Sequence, residues 1–224
     1  MCGRFAVDKK PEEIAAEVQA VWDDEVLGLP SWNTCPTGFT PVLSNDKLHS
    51  WSWGLIPGWA KDDSRRAWLI NARIETLDEK PAFKNLLGRN QCIVPIDGYY
   101  EWQQKGESKI PYYFQNEDNS MLLLAGLWDK WINQSGQEVI SFTLVTKEAA
   151  ESISEIHHRM PVILDLQNAR KWARNALKRE ELTDLSQSQL NFHEVSTAVN
   201  SVRNNSSELI KATDKPQFWQ DELF

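Results

Sequence analysis

The sequence predicts one α+β domain spanning residues 1–224, built on a mainly antiparallel and strongly curved sheet. Three observations predict it. Short β-like runs and helical stretches intermingle without the regular βαβ alternation that a parallel sheet needs. No internal repeat, low-complexity linker or change of composition divides the chain. Its 224 residues are enough to bury a sizeable core.

Residues 11–26 read as a helix: Pro11 suits the first turn, Glu12 and Glu13 suit its positive end, and Ile14, Val18 and Trp22 keep helical spacing. Leu29 to Thr40 is rich in Pro, Gly, Asn and Thr and reads as loop. Strand-like runs follow at Pro41–Ser44, His49–Trp53, Cys92–Ile96, Tyr99–Gln103, Pro111–Phe114, Met121–Leu127 and Ile140–Val145. Helical spacing returns over Leu166–Leu177, with Asp165 placed either as N-cap or in the preceding run. The tail from Ser196 to Ser207 is polar and ends in an aromatic patch around Phe218 and Trp219.

Composition narrows the function classes. Hydrophobic residues at 41% and charged residues at 25% describe a soluble globular chain, and no stretch approaches a membrane span. No basic segment followed by an apolar run marks a signal peptide. Cys2, Cys35 and Cys92 are odd in number and widely spaced, which argues against a disulfide framework and against zinc. A cytoplasmic location follows, and no metal or cofactor is expected. Cys92, in an apolar run, reads as a small buried hydrophobe. A net charge of −8 opposes generic polyanion binding, so a nucleic-acid partner needs a local basic groove. Most of the eleven tryptophans belong in the core or in groove walls, with one or two available to stack on a base.

The chemistry centres on the opening Met1-Cys2-Gly3-Arg4-Phe5. Removal of Met1 leaves Cys2 with a free α-amine (pKa about 7.7–8.0) beside a thiol (about 8.5), both partly nucleophilic near neutrality. Together they condense with an aldehyde: the amine forms an imine and the thiolate closes a thiazolidine. Taken alone, Cys2 is also compatible with an inert second residue. Four later segments add reactive or anion-binding groups: Leu69–Glu75, Asp97–Trp102, Leu144–Thr146 and Glu155–Pro161. Asn71 and Arg73 read equally as loop cap and surface charge. Glu101, between Tyr100 and Trp102, either points inward, where desolvation raises its pKa, or alternates to solvent. His157 and His158 are adjacent and, on a regular element, point in different directions.

These segments carry a resemblance. Met-Cys-Gly-Arg-Phe, Ile-Asn-Ala-Arg-Ile-Glu-Thr, Gly-Tyr-Tyr-Glu-Trp and Ile-His-His-Arg-Met-Pro occur in order, with late Val195-Ser196 and Asn200-Ser201-Val202 segments. From Cys2 to about Leu209 the chain resembles the SOS response-associated peptidase family. The resemblance implies a compact α+β domain with a partly closed, barrel-like β core and peripheral helices. It implies covalent capture of abasic sites in single-stranded DNA through Cys2, by a monomer without membrane association, as part of the DNA damage response. Cys2 is then the nucleophile, Asn71 positions its amine or the opened sugar, Glu101 is the general acid/base and His157 assists ring-opening. Arg4, Arg73 and Arg159 contact phosphates, Thr146 lines the pocket, and Pro36 and Trp68 sit near the DNA groove. Cys35 before Pro36 departs from the small apolar residue common in the family.

Three other readings use the same residues. A glutamine amidotransferase also opens Met-Cys-Gly, but its downstream Arg and Asn-Gly pattern is missing here. A cysteine peptidase, confined to self-removal of Met1 or acting more widely, needs Cys2, His157 and Asn71 or Glu101. A plain single-strand binder needs none of this chemistry.

Overall fold

The computed structural model describes residues 2–22, 29–64, 68–187 and 189–213. In chain order its elements are β1 (Arg4–Val7), α1 (Pro11–Glu17), β2 (Val21–Trp22), β3 (Ser31–Thr34), β4 (Phe39–Ser44), β5 (Lys47–Trp53) and β6 (Asn71–Arg73). There follow β7 (Gln91–Ile96), β8 (Gly98–Lys105), β9 (Ser108–Gln115), β10 (Leu122–Ile132), β11 (Glu138–Glu148) and α2 (Glu151–Ser154). The last are β12 (Arg159–Pro161), β13 (Ile163–Leu164), α3 (Leu166–Ala173), α4 (Leu182–Leu185) and β14 (Asn191–Glu194).

The fold is α+β, as expected, and the β core closes completely. Strands β11, β10, β7, β4 and β5 are antiparallel neighbours, and β5 returns to β11 in parallel, with Ser52 opposite Ser141 and Trp53 opposite Phe142. The barrel strands are lined by buried Val42, Leu43, Trp53, Cys92, Val94, Leu124 and Phe142. Closure leaves none of these five strands with an unpaired edge along that stretch. A second, antiparallel sheet of order β14-β9-β8-β1-β3 packs beside the barrel. Its outer face is covered by the polar tail, where Val195, Val199 and Leu209 meet Ala6, Tyr100 and Tyr113. Helix α3 lies on the barrel wall through fully buried Trp172, whose Nε1 donates to the Gly126 carbonyl at 3.0 Å.

Two helices end earlier than their spacing predicts. The helix expected over 11–26 stops at Glu17, because Gln19 takes a left-handed φ of 53°. The Gln19 amide then donates to Ala16 and the Ala20 amide to Ala15, a Schellman closure. Val21 and Trp22 pair in parallel with β5, and residues 23–28 lie outside the described residues. The helix expected over 166–177 stops at Ala173 in the same way, with Asn175 at φ 59°. Asp165 is its N-cap, accepting from the Asn168 amide at 2.9 Å. The stretch read as loop from Leu29 to Thr40 contains β3, which pairs with β1 through Phe5–Thr34 and Val7–Ser31. Its polar Asn33 hid the strand, since that side chain is buried for a hydrogen-bonding task described below. Phe218 and Trp219 lie outside the described residues.

Candidate functional site

The two sheets bring the four segments together around Cys2, which is completely buried. Strand β6 runs parallel to the end of β11, setting Asn71 opposite Leu144 and Arg73 opposite Thr146. Strand β12 pairs with the other edge of the same β11 stretch, Thr146 opposite Pro161 and Glu148 opposite Arg159. Strand β1 pairs with β8, Arg4 opposite Tyr100 and Phe5 opposite Tyr99. Gly98 is needed for this arrangement: a Cβ there would overlap the Tyr113 ring and the Phe114 carbonyl.

Asn71 Nδ2 donates to the Cys2 carbonyl at 2.7 Å. Glu101 points inward and is 3% exposed, so of its two readings the buried one holds. Burial raises its carboxyl above the ordinary carboxylate range. Burial, reinforced by the nearby Glu101 carboxylate, also raises the Cys2 thiol far above its usual value. His157 is half-buried, and desolvation lowers its pKa to about 4, leaving the ring neutral at pH 7. Its Nδ1 lies 3.0 Å from the Arg159 amide and 3.1 Å from the Arg159 carbonyl. The amide N–H is an obligate donor, so Nδ1 accepts and the ring proton sits on Nε2.

The adjacent histidines do not point apart. Their rings stack at 4.5 Å between centroids with planes 24° apart, because both lie on the irregular link between α2 and β12, where strand alternation does not apply. His158 is the exposed member and covers one face of His157.

Two cavities meet this centre. One, of about 380 Å³, is lined by Arg4, Glu101, Trp102, Lys109, His157 and Asn200. The other is a groove of about 900 Å³ that includes Asn71, Arg73, Trp59, Trp68, Lys61 and Lys80 in its walls. Trp59 and Trp68 are 68% and 82% exposed, two flat apolar surfaces open to solvent. Asp62 and Asp63 also line this groove and offset part of its positive charge. Cys2 links the two cavities: Asn71 of the groove holds its carbonyl, and Glu101 of the smaller cavity acts on its thiol.

The predicted cations have different surroundings. Arg73 is exposed and has no ion pair among the described residues. Arg4 donates to Asn33 Oδ1 at 2.6 Å and to the Val199 carbonyl at 2.9 Å, and its guanidinium lies 5.9 Å from the centre of the Trp102 ring. Arg159 is 8% exposed and holds Glu75 with both terminal nitrogens, at 2.7 and 2.9 Å, while donating to the Thr146 carbonyl at 2.7 Å. Thr146 is fully buried against Arg159 and lines neither cavity; Pro36, in the turn after β3, lines neither.

Asn33 was not legible as a site residue. Its Nδ2 donates to the carbonyls of Ser201 and Asn204 at 3.1 and 2.8 Å while its Oδ1 takes the Arg4 proton. With Asn200 accepting from Trp102 Nε1 at 2.7 Å, the late tail fastens the wall of the smaller cavity. Among the described residues, no helix is long and apolar enough to cross a membrane.

A five-stranded mixed barrel flanked by an antiparallel sheet, with a second-residue cysteine buried among Asn, Glu and His, defines a class of α+β proteins with an N-terminal cysteine centre. The family model described as SOS response associated peptidase (SRAP) matches residues 1–202, and the chain belongs to that family. It is 35% identical to the abasic site processing protein YoqW of Bacillus subtilis, an alignment covering 95% of this chain and 100% of the relative. It is also 35% identical to the abasic site processing protein HMCES of Gallus gallus, covering 86% of this chain and 69% of the relative. A crystal structure of a protein from Bacteroides thetaiotaomicron superposes with a TM-score of 0.85 at 25% identity, covering 95% of this chain and 100% of the other.

Proposed function

We propose that this protein senses abasic sites in single-stranded DNA and bonds to them covalently through Cys2 once Met1 is removed. The observation that carries this reading is the pairing at Cys2: its backbone carbonyl is held by Asn71, and its thiol is buried against Glu101. Relatives named for abasic site processing support the choice of substrate.

An abasic deoxyribose is mostly a closed hemiacetal. Ring-opening takes a proton from the C1′ hydroxyl and gives one to O4′. Glu101, its carboxyl raised by burial, gives a proton to O4′ and takes the C1′ hydroxyl proton in return. It later protonates the departing hydroxyl, while neutral His157 orients the sugar oxygen. The freed α-amine of Cys2 then attacks C1′ and water leaves, forming an iminium beside the Glu101 carboxylate. The sulfur adds to the same carbon, the C=N pair returns to nitrogen, and the thiol proton is released. That closure is intramolecular, so its effective molarity is high, up to ~10⁵–10⁸ M in favourable cases.

Arg73 and the exposed Trp59 and Trp68 suit a strand laid along the groove, phosphate on guanidinium and base on indole. A duplex hides C1′, so a single strand is the substrate that fits this reading. A general cysteine peptidase relies on a thiolate–imidazolium pair. Here burial disfavours both charges, so any peptidase act is confined to removal of Met1.

The test is to incubate mature protein with a single strand carrying one abasic site. A shifted species that survives heat and denaturant is expected, absent from Cys2→Ala and reduced to a borohydride-trappable imine in Cys2→Ser. A heat-stable adduct from Cys2→Ala sinks the reading.

A further inference from the structure

The turn that carries Trp59 is fastened to the barrel at three points. Pro57, Gly58, Trp59 and Ala60 form a β-turn closed by the Ala60 amide, which donates to the Pro57 carbonyl at 2.8 Å. Just before the turn, the Ile56 amide donates to Ser141 Oγ at 2.8 Å. Inside it, the Gly58 amide donates to Asp129 Oδ2 at 2.7 Å. At its end, Trp131 Nε1 donates to the Ala60 carbonyl at 2.7 Å. Asp129 and Ser141 are cross-strand partners on β10 and β11, and Trp131 follows Asp129 by two positions, so strand alternation puts all three on one face. Gly58 lets the backbone lie close: a Cβ there would come within 2.8 Å of the Lys130 carbonyl oxygen.

The fold gains little from the residue so fixed. Trp59 stands at the third position of the turn, 68% exposed, where turns commonly place Gly, Asn, Asp or Ser. An indole left in water contributes little to folding, whereas the fastening takes a carboxylate, a hydroxyl and a second indole. The Asp129 carboxylate also has the wrong sign for the neighbourhood of a groove that receives a phosphate chain. Both its oxygens are occupied, Oδ2 by the Gly58 amide and Oδ1 by the Lys130 amide at 2.8 Å, so it serves as a tether. An exposed aromatic fixed beforehand spares a bound base the cost of ordering it.

We propose that Asp129, assisted by Ser141 and Trp131, is a positioning residue that holds the Pro57–Ala60 turn so that Trp59 stands as a fixed platform for one base of the bound strand. This rests on the reading of the groove as the path of a single strand. The platform tolerates any sequence, because every base offers a flat face to an indole. Asp129 touches no nucleotide and acts only through Trp59. Two consequences separate this role from charge or packing alone. Deleting a negative charge beside a polyanion tightens binding if the charge itself matters, and weakens it if the tether matters. The tether also has nothing to hold once Trp59 is gone.

The experiment measures affinity for an undamaged, dye-labelled single strand by fluorescence anisotropy at fixed salt. It compares wild type, Trp59→Ala, Asp129→Ala, Asp129→Asn and the double variant Asp129→Ala with Trp59→Ala. Trp59→Ala should lose about tenfold, within the range for one base–aromatic stack. Asp129→Ala should lose about fivefold in spite of its deleted charge, the scale of ordering one side chain on binding. Asp129→Asn keeps an acceptor for the Gly58 amide and should bind within about twofold of wild type. In the Trp59→Ala background, Asp129→Ala should change affinity by less than about twofold. Asp129→Ala that binds as tightly as wild type, or tighter, overturns the inference. So does a loss that persists undiminished without Trp59, because Asp129 would then act through another part of the groove. If Asp129→Ala does not fold, Gly58→Ala takes its place in the same cycle, since its Cβ lifts the turn off the Lys130 carbonyl. Full additivity of Gly58→Ala with Trp59→Ala then overturns the inference equally. Wild type that binds no single strand overturns the reading of the groove itself.

Discussion

The amide of Asn71 is tied to the backbone of Cys2: Nδ2 donates to the Cys2 carbonyl at 2.7 Å, while Oδ1 is buried without a hydrogen-bond partner among the described residues. One end of the side chain fixes the Cys2 backbone and the other retains an acceptor. That acceptor matches the N–H protons of an amine or iminium formed at Cys2 once Met1 is gone. Asn71→Ala should slow crosslinking by about 10²-fold, the scale of loss when a reacting group is misplaced by an ångström. Non-covalent affinity for an undamaged single strand should stay within a few-fold. Single-turnover gels and fluorescence anisotropy measure the two, and an unchanged rate would remove Asn71 from the reacting centre.

Glu101→Gln should slow crosslinking by roughly 10²–10⁴-fold, the usual share of one general acid/base. Its effect on stability has the opposite sign. The carboxyl is raised in the folded protein, so its favourable contribution is full below the unfolded pKa and is lost as pH rises through the folded one. The uncharged amide has no such loss. Thermal midpoints of Glu101→Gln should therefore equal or exceed wild type at pH 7 to 8, with less decline from pH 4 upward. A midpoint well below wild type at pH 8 would contradict this assignment.

Strand periodicity made the seven strand-like runs legible, and four short motifs in order marked segments that the fold gathers near Cys2. Barrel closure was not, because the parallel contact of β5 with β11 joins residues about ninety positions apart and leaves no local pattern. The early helix ends were hidden for another reason: Gln19 and Asn175 take the left-handed cap that glycine usually marks, so neither advertised a stop. Asn33 was obscured by composition, since a buried asparagine in a Pro/Gly/Thr-rich stretch looks like a loop residue until its partners Arg4, Ser201 and Asn204 are seen. The inward turn of Glu101 became decidable only once β8 had neighbours on both sides.

Arg73 and Arg159 share a motif-derived assignment but stand in different settings, and the variants should separate them. Arg73→Ala removes an exposed cation from the groove wall. It should weaken single-strand binding and reduce the log–log salt slope by ~0.7, one phosphate's worth for single strands. Arg159→Ala removes a buried guanidinium that serves both half-exposed Glu75 and the buried Thr146 carbonyl, so its larger effect should be a thermal midpoint lowered by a few degrees. Arg170→Ala and Arg174→Ala serve as controls, because both side chains are held by Asp46. Equal salt slopes for all four would mean diffuse attraction and no phosphate track.

His157 and His158 form a stacked pair with unequal duties. His157 lines the smaller cavity, accepts from the Arg159 amide and is neutral down to about pH 4, so crosslinking should not fall as pH drops from 7 to 5.5 on its account. A fall centred near 6.5 in wild type that vanishes in His157→Ala would contradict the lowered pKa. His157→Ala should slow adduct formation most on a closed-ring abasic site and less on a pre-formed aldehyde, because ring-opening is the step assigned to it. His158 touches neither cavity, yet its ring covers one face of His157 at 4.5 Å. His158→Ala should therefore cost a few-fold, by loosening the His157 ring, with the same ratio between the two substrates as His157→Ala and a smaller size. His158→Phe preserves the stack without a titratable nitrogen and should restore the wild-type rate. If His158→Phe is as slow as His158→Ala, the second imidazole supplies chemistry as well as a surface, and the division of labour between the pair is reversed.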